Sequence, residues 1–247
     1  MSSPVALQVE LREKRVETPD VRSFIFALDR DLSYSPGQYL VMDLGVAGDP
    51  KGRIRPFSIA SSPTEKGLLM ISTRVASRLA SSLFKKRLNE LEPGSKVNIR
   101  APFGRFLLPA DTSKGAVMLS GGIGITPLRS MIKYATDLRP DLGITLLYSN
   151  RVPEDIPFRK ELTELAEQNP RLKIIHTITH PRDSRERWTG VTSRIDERLV
   201  KSHITDVFNT IFYVSGPPGM VDSMLEILKK MNVRSQSVMS ERFAGYE

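Results

Sequence analysis

The sequence predicts two structural classes in tandem: an antiparallel β-barrel over residues 1–110, then a doubly wound, parallel-sheet α/β domain over residues 111–247. Three observations carry this reading. Up to about residue 108 the chain runs in short apolar segments separated by the turn signals SPGQ, AGDPKG and SPTEKG, the texture of a small antiparallel barrel. Near Pro109 to Gly115 the texture changes to apolar strand, glycine turn, helix and strand again, the alternation of βαβ units. Two glycine-bearing turns, GGIG from Gly121 and SGPPG from Ser215, each close an apolar strand and so belong at the carboxyl end of one parallel sheet.

The elements of the second half follow in order. Ala116 to Ser120 is a buried strand, and Leu128, Met131, Ile132 and Ala135 recur at helical spacing after the first glycine turn. Gly143 to Ser149 is the next strand, Pro157 to Gln168 a helix, Leu172 to Ile178 a third strand, and Phe212 to Gly216 a later one. A last helix carries Val221, Met224, Leu225 and Leu228. The sheet is expected to have five or six strands. In the first half, Leu79, Leu83 and Leu88 suggest a helix beginning after Ser77.

Composition excludes several function classes. The chain has 247 residues and no cysteine, so disulfides, thiol redox chemistry and thiolate-held clusters are ruled out and any redox centre is organic. His176 and His180 lie on one strand-like segment with no further ligands close by, so no metal site is expected. No apolar run reaches the length of a membrane-spanning helix, which leads to the expectation of a cytoplasmic protein. The net charge of +8 divides into 17 basic and 12 acidic groups in residues 1–112 and 19 and 16 in residues 113–247. Stacking aromatics are not interleaved with the basic residues, so nucleic acid is not the expected partner. Arg74, Arg78, Lys85, Lys86, Arg87, Arg100 and Arg105 concentrate charge in the first half, as either a solvated surface or a site for an acidic partner.

Glycines at Gly121, Gly122 and Gly124 let backbone N–H groups approach a pyrophosphate at a helix N-terminus, with Thr126 expected to cap the helix and Pro127 suited to its first turn. The segment Arg55-Pro56-Phe57-Ser58 offers a cation, an aromatic face and a hydroxyl in extended geometry, with Arg55 and Phe57 on one side and Pro56 and Ser58 on the other. Arg78, Ser81 and Ser82, at the expected helix start, suit a second pyrophosphate.

Taken together, RPFS at 55–58, SPGQY at 35–39, APFGRF at 101–106, GGIGITP from Gly121 and SGPPGM from Ser215 resemble, in order, the motifs of the ferredoxin-NADP reductase-like family, in its stand-alone form without an iron–sulfur domain. The resemblance implies a flavoprotein that moves hydride from NADPH or NADH to N5 of FAD, with FMN as the alternative, and passes electrons on to ferredoxin, flavodoxin or a small acceptor. An electron-transfer or regulatory subunit of a larger redox complex is the other reading. The resemblance also implies that Arg55 contacts the flavin phosphates, Phe57 packs on the isoalloxazine ring and Ser58 approaches N5. Ser72 and Arg74 join the cofactor-binding set, with Gly216, Pro217 and Met220 at the nicotinamide loop. Ser58, Ser215 and Glu241 are the catalytic candidates, Ser215 standing where the family usually has cysteine. Ala101 also departs from the usual glycine. The tail ERFAGYE is similar to the family's acidic-aromatic ending, which places Phe243 over the flavin. Ser149 and Arg151, following the second strand, suit a 2′-phosphate and favour NADPH, against Glu154 and Asp155 close behind.

Overall fold

The computed structural model describes residues 3–30, 32–49, 52–75, 82–111, 113–204 and 206–243. Strands β1 (Val5–Val16), β2 (Val21–Ala27), β3 (Tyr39–Asp43), β4 (Ile54–Ser58) and β5 (Leu68–Arg74) are followed by helix α1 (Leu83–Glu90) and strand β6 (Lys96–Phe103). The expected barrel takes the form of a curled antiparallel sheet in the order β4-β3-β6-β1-β2-β5. Pro56, which has no N–H to donate, fits the edge strand β4. Alternation sorts the side chains: Phe24, Phe26, Leu69 and Ile71 fill the inside of the half-barrel, whereas Ile25 and Met70 face outward into the core of the second unit.

That second unit is a parallel sheet of β7 (Gly115–Gly121), β8 (Ile144–Asn150), β9 (Leu172–Ile178), β10 (Thr210–Gly216) and β11 (Val238–Arg242), in the order β11-β10-β7-β8-β9. Helices α2 (Ile125–Leu138), α3 (Arg159–Gln168), α4 (Glu197–His203) and α5 (Pro218–Lys230) are interleaved with the strands. Met118, Leu146 and Tyr213 pack with α2 and α3, whereas Val117, Leu119, Leu147 and Phe212 pack with α4 and α5, so both faces are covered. The chain builds outward from β7 through β8 to β9, then returns to β10 on the other side of β7. The carboxyl ends of β7 and β10 therefore flank a topological switch point, the expected ligand position in such sheets.

Two helix starts differ from the sequence expectation. Helix α1 begins at Leu83 because the Ser82 hydroxyl accepts the N–H of Lys85 and caps it there. Arg78 and Ser81 lie outside the described residues. Helix α3 begins at Arg159, two residues after Pro157, since Phe158 takes a left-handed φ of 59°.

The half-barrel and the α/β unit meet on α2. Arg129, with 3% of its side chain exposed, donates through Nε to Glu161 at 3.1 Å, through Nη2 to Glu65 at 2.9 Å and through Nη1 to the Ala60 carbonyl at 3.0 Å. It makes closer contacts with both carboxylates as well. Ser130 Oγ donates to the Ser61 carbonyl at 2.6 Å, and Tyr213 OH donates to the Leu107 carbonyl at 2.7 Å. Removing the cation strands two carboxylates that keep 21% and 28% of their surface in water. Arg129→Ala should therefore lose about 3 kcal/mol of stability, the low end for a broken buried pair. Urea unfolding measures this, and a loss under about 1 kcal/mol would show the network to be dispensable.

Candidate functional site

The turn Gly122–Gly124 joins β7 to α2, and Gly122 takes φ 53°, a left-handed conformation that side chains disfavour. A Cβ at Gly124 would stand 2.3 Å from the Ser215 carbonyl oxygen, so only glycine lets this turn close onto the end of β10. The two glycine turns thus meet and floor one cleft of about 700 Å³. Gly121, Gly122, Pro217 and Met220 line it directly, while Gly124 and Gly216 hold the backbones in contact behind them. Thr126 does not cap α2: its hydroxyl donates to the Ile123 carbonyl at 3.1 Å, and Gly124 occupies the cap position. Pro127 is buried in the first turn of α2.

The walls come from four separate segments. Arg74 and Asp20 reach in from the half-barrel, paired at 3.9 Å, with Arg74 Nη2 3.2 Å from where a Cβ on Gly122 would lie. Ser149, Asn150 and Arg151 stand at the end of β8, and Thr179 and Arg194 follow β9. Phe243 closes one side, its N–H bonded to the Gly216 carbonyl at 3.0 Å. Arg151 is 3.7 Å from Asp183 with both side chains largely exposed, and Arg194 has no ion pair among the described residues. Glu154, the acidic neighbour of Arg151, is occupied instead in accepting from the Ser184 hydroxyl and the backbone of Arg185 and Glu186. Arg151 and Arg194 thus bring positive charge to the cleft.

At the seam between the units, the register aligns Ser120, Ser215 and Glu241 across the ends of β7, β10 and β11, on the face that looks toward the half-barrel. The Ser215 hydroxyl is fully buried with no hydrogen-bond partner among the described residues. Ser58 Oγ donates across the seam to Glu241 Oε2 at 3.5 Å. Burial pushes the Glu241 carboxyl up to about 7, only partly offset by the Ser58 hydrogen bond.

The RPFS strand is organised around Phe84. Arg55 lies over the Phe84 ring at 5.3 Å and Phe57 packs against it at 5.9 Å, so both side chains share a face and Pro56 is exposed on the other. Phe57 is 7% exposed, so little of it is open to a further ring. Arg55 pairs with Asp49, whose carboxylate also accepts the N–H of Phe84 at 2.8 Å and the hydroxyl of Ser82 at 3.4 Å. Ser72 is engaged with Ser23 at 2.7 Å. The structure thus groups Arg74, Gly122, Ser149, Arg151, Pro217, Met220 and Phe243 at the cleft, Ser58, Ser215 and Glu241 at the seam, and Arg55, Phe57 and Ser82 at α1. Thr179, Arg194 and Asp49 are additions that carry no local motif.

These sites fit anionic, ring-bearing ligands. The cleft offers a floor of two glycine turns that pack too closely to admit a Cβ at Gly121 or Gly124, and guanidiniums in its walls. The half-barrel adds a guanidinium and an aromatic edge beside a helix N-terminus.

Comparison with known proteins gives two domain matches: an oxidoreductase FAD-binding domain over residues 8–107 and an oxidoreductase NAD-binding domain over residues 118–226. The chain is 32% identical to the gamma subunit of sulfhydrogenase 1 from Pyrococcus furiosus over 83% of its own length and 67% of that protein's. It is 27% identical to the glycine betaine monooxygenase reductase subunit of Chromohalobacter salexigens over 93% of its own length and 62% of that protein's. Of several further relatives it spans about half. The flavohem-like FAD/NAD-binding domain of nitric oxide dioxygenase from Vibrio cholerae superimposes with a TM-score of 0.82 at 23% identity, over 96% of this chain and 98% of that one.

A carboxyl raised by burial stabilises the fold only while protonated. The Glu241 contribution is present below its ordinary value of 4.5 and is lost as pH rises through about 7. Relative to Glu241→Gln, the wild type should lose thermal stability across that window. A difference between the two midpoints that stays flat from pH 4.5 to pH 8 would contradict this.

Proposed function

From the premise that this chain belongs to the ferredoxin-NADP reductase-like family of FAD- and NAD-binding oxidoreductases, we propose that it is an NAD(P)H-dependent flavoprotein reductase. Residues 1–110 serve as its flavin domain and residues 111–247 as its nicotinamide domain. The observation that carries this reading is the seam, where Ser58 of the flavin strand meets Glu241 of the nicotinamide unit beside the glycine-floored cleft. The chemistry that bound FAD supplies is acceptance of a hydride from the dihydronicotinamide and onward release of electrons.

The chain's own residues bind, orient and exclude. The Gly122 and Gly124 turn gives the dinucleotide backbone N–H groups at the start of α2, and Arg74 places a cation beside them. Phe243, tied to the Gly216 carbonyl, lines the cleft beside the second glycine turn. Raised to about 7, the Glu241 carboxyl takes up and releases a proton near neutral pH within reach of Ser58, which puts a group able to hold or give a proton at the seam.

The acceptor proposed is an acidic redox protein such as a ferredoxin or flavodoxin. The basic residues of the first half support this, as does the likeness to reductase subunits that serve a partner. The same likeness supports the second reading, an electron-transfer subunit within a larger complex. NADPH is the proposed donor, because Arg151 and Arg194 both line the cleft with Ser149, and two guanidiniums suit a 2′-phosphate.

An absorbance spectrum of the purified protein tests the flavin, and anaerobic bleaching by NADPH tests the reaction. A protein that purifies without flavin and does not take it up would remove the assignment. Both arginines are exposed, so Arg151→Ala and Arg194→Ala should each raise KM for NADPH by roughly tenfold and leave that for NADH unchanged. Equal effects on both donors would remove the 2′-phosphate role.

A further inference from the structure

We infer that Asp49 is an internal anion that holds the flavin-phosphate donors of the half-barrel and must be displaced when the flavin is loaded. The inference rests on the flavin reading of Arg55. Among the described residues, three separate donors converge on this one carboxylate: Arg55 Nη2, the backbone N–H of Phe84 in the first turn of α1 at 2.8 Å, and the Ser82 hydroxyl at 3.4 Å. The carboxylate side chain is 2% exposed and the guanidinium 14%. A guanidinium beside a helix N-terminus is an anion site by its donor chemistry, and a buried carboxylate seated on both shows the donors to be arranged for one.

Further guanidinium contacts among the described residues hold Arg55 on its own loop, with Nη1 donating to the carbonyls of Gly52 at 2.5 Å and Ile54 at 3.0 Å. A diphosphate taking the same donors would place two further negative charges within a few ångströms of Asp49. At that distance like charges repel strongly, so the carboxylate and the diphosphate compete for Arg55 and α1. Asp49 lies between two glycines that hold left-handed backbone. Gly48 and Gly52 flank it with φ of 77° and 79°, and a Cβ at either would meet nothing within 4 Å. Glycine supplies the left-handed backbone that an L side chain disfavours at both positions.

Two consequences follow from one linkage. Asp49 neutralises Arg55 and caps α1 without flavin, and it lowers flavin affinity because its contacts are lost on loading. The flavin is therefore held more weakly than the donor set alone would hold it, and exchanges more readily.

The experiment compares deflavinated wild-type protein with Asp49→Asn, titrated with FAD and followed by quenching of flavin fluorescence. The variant should bind FAD about tenfold more tightly, the scale of one charge-assisted contact, while its flavin-free thermal midpoint falls. Unchanged or weaker FAD binding by the variant, with the wild type binding normally, would overturn the inference and make Asp49 a positioning residue for Arg55. Failure of both proteins to bind FAD would overturn the flavin reading itself. If the variant does not fold without flavin, it is refolded with FAD and the release rate after dilution is measured. Slower release than wild type supports displacement, and equal or faster release refutes it.

Discussion

The buried guanidinium of Arg129 ties together the turn after β4, helix α2 and helix α3. It is surrounded by Glu65, Glu161 and the Ala60 carbonyl, so its charge is compensated by partners from both units. A buried cation is tolerable only when so surrounded, and the compensation is directional. Helix α2 begins at the Gly122–Gly124 turn, so fixing α2 against the half-barrel also fixes that turn relative to Arg74 and Asp20. The cleft inherits its shape from this one network.

Around that network the packing makes the two units continuous. Ile25 and Met70 point out of the half-barrel into a core they share with Met118, Leu128 and Met131. Phe106 meets Tyr213 edge to face at 5.4 Å, and Tyr213 reaches on to the Leu107 carbonyl. Partial burial at the same seam is what lifts the Glu241 carboxyl into the neutral range. Domain packing and proton chemistry are here one physical effect.

The periodic elements were legible in the chain because their signals are local. Ala116 to Ser120 alternates faces as a two-sided buried strand must, and Leu128, Met131, Ile132 and Ala135 lie on one side of α2. Boundaries were less legible where a single side chain decides them. Ser82 starts α1 by bonding to Lys85, and Thr126, a good capping residue, turns its hydroxyl to the Ile123 carbonyl instead because Gly124 already fills the cap position. The glycine turns were readable as phosphate-type turns, since glycine spacing at the end of a strand reports on backbone approach. That the two touch became visible only in the distance between Gly124 and Ser215.

The sequence by itself determined the order of strands and helices, the absence of any thiol chemistry, and the turns at which a nucleotide backbone can approach the main chain. Those properties are written in neighbouring residues and in composition. The tertiary structure alone decided that Ser58 would face Glu241 across 183 residues, that Arg129 would find Glu65 across 64, and that Arg194 would share a cleft with Arg151. Such pairings depend on sheet order and register, which are set by how whole faces bury together, and no local pattern in the chain carries that information.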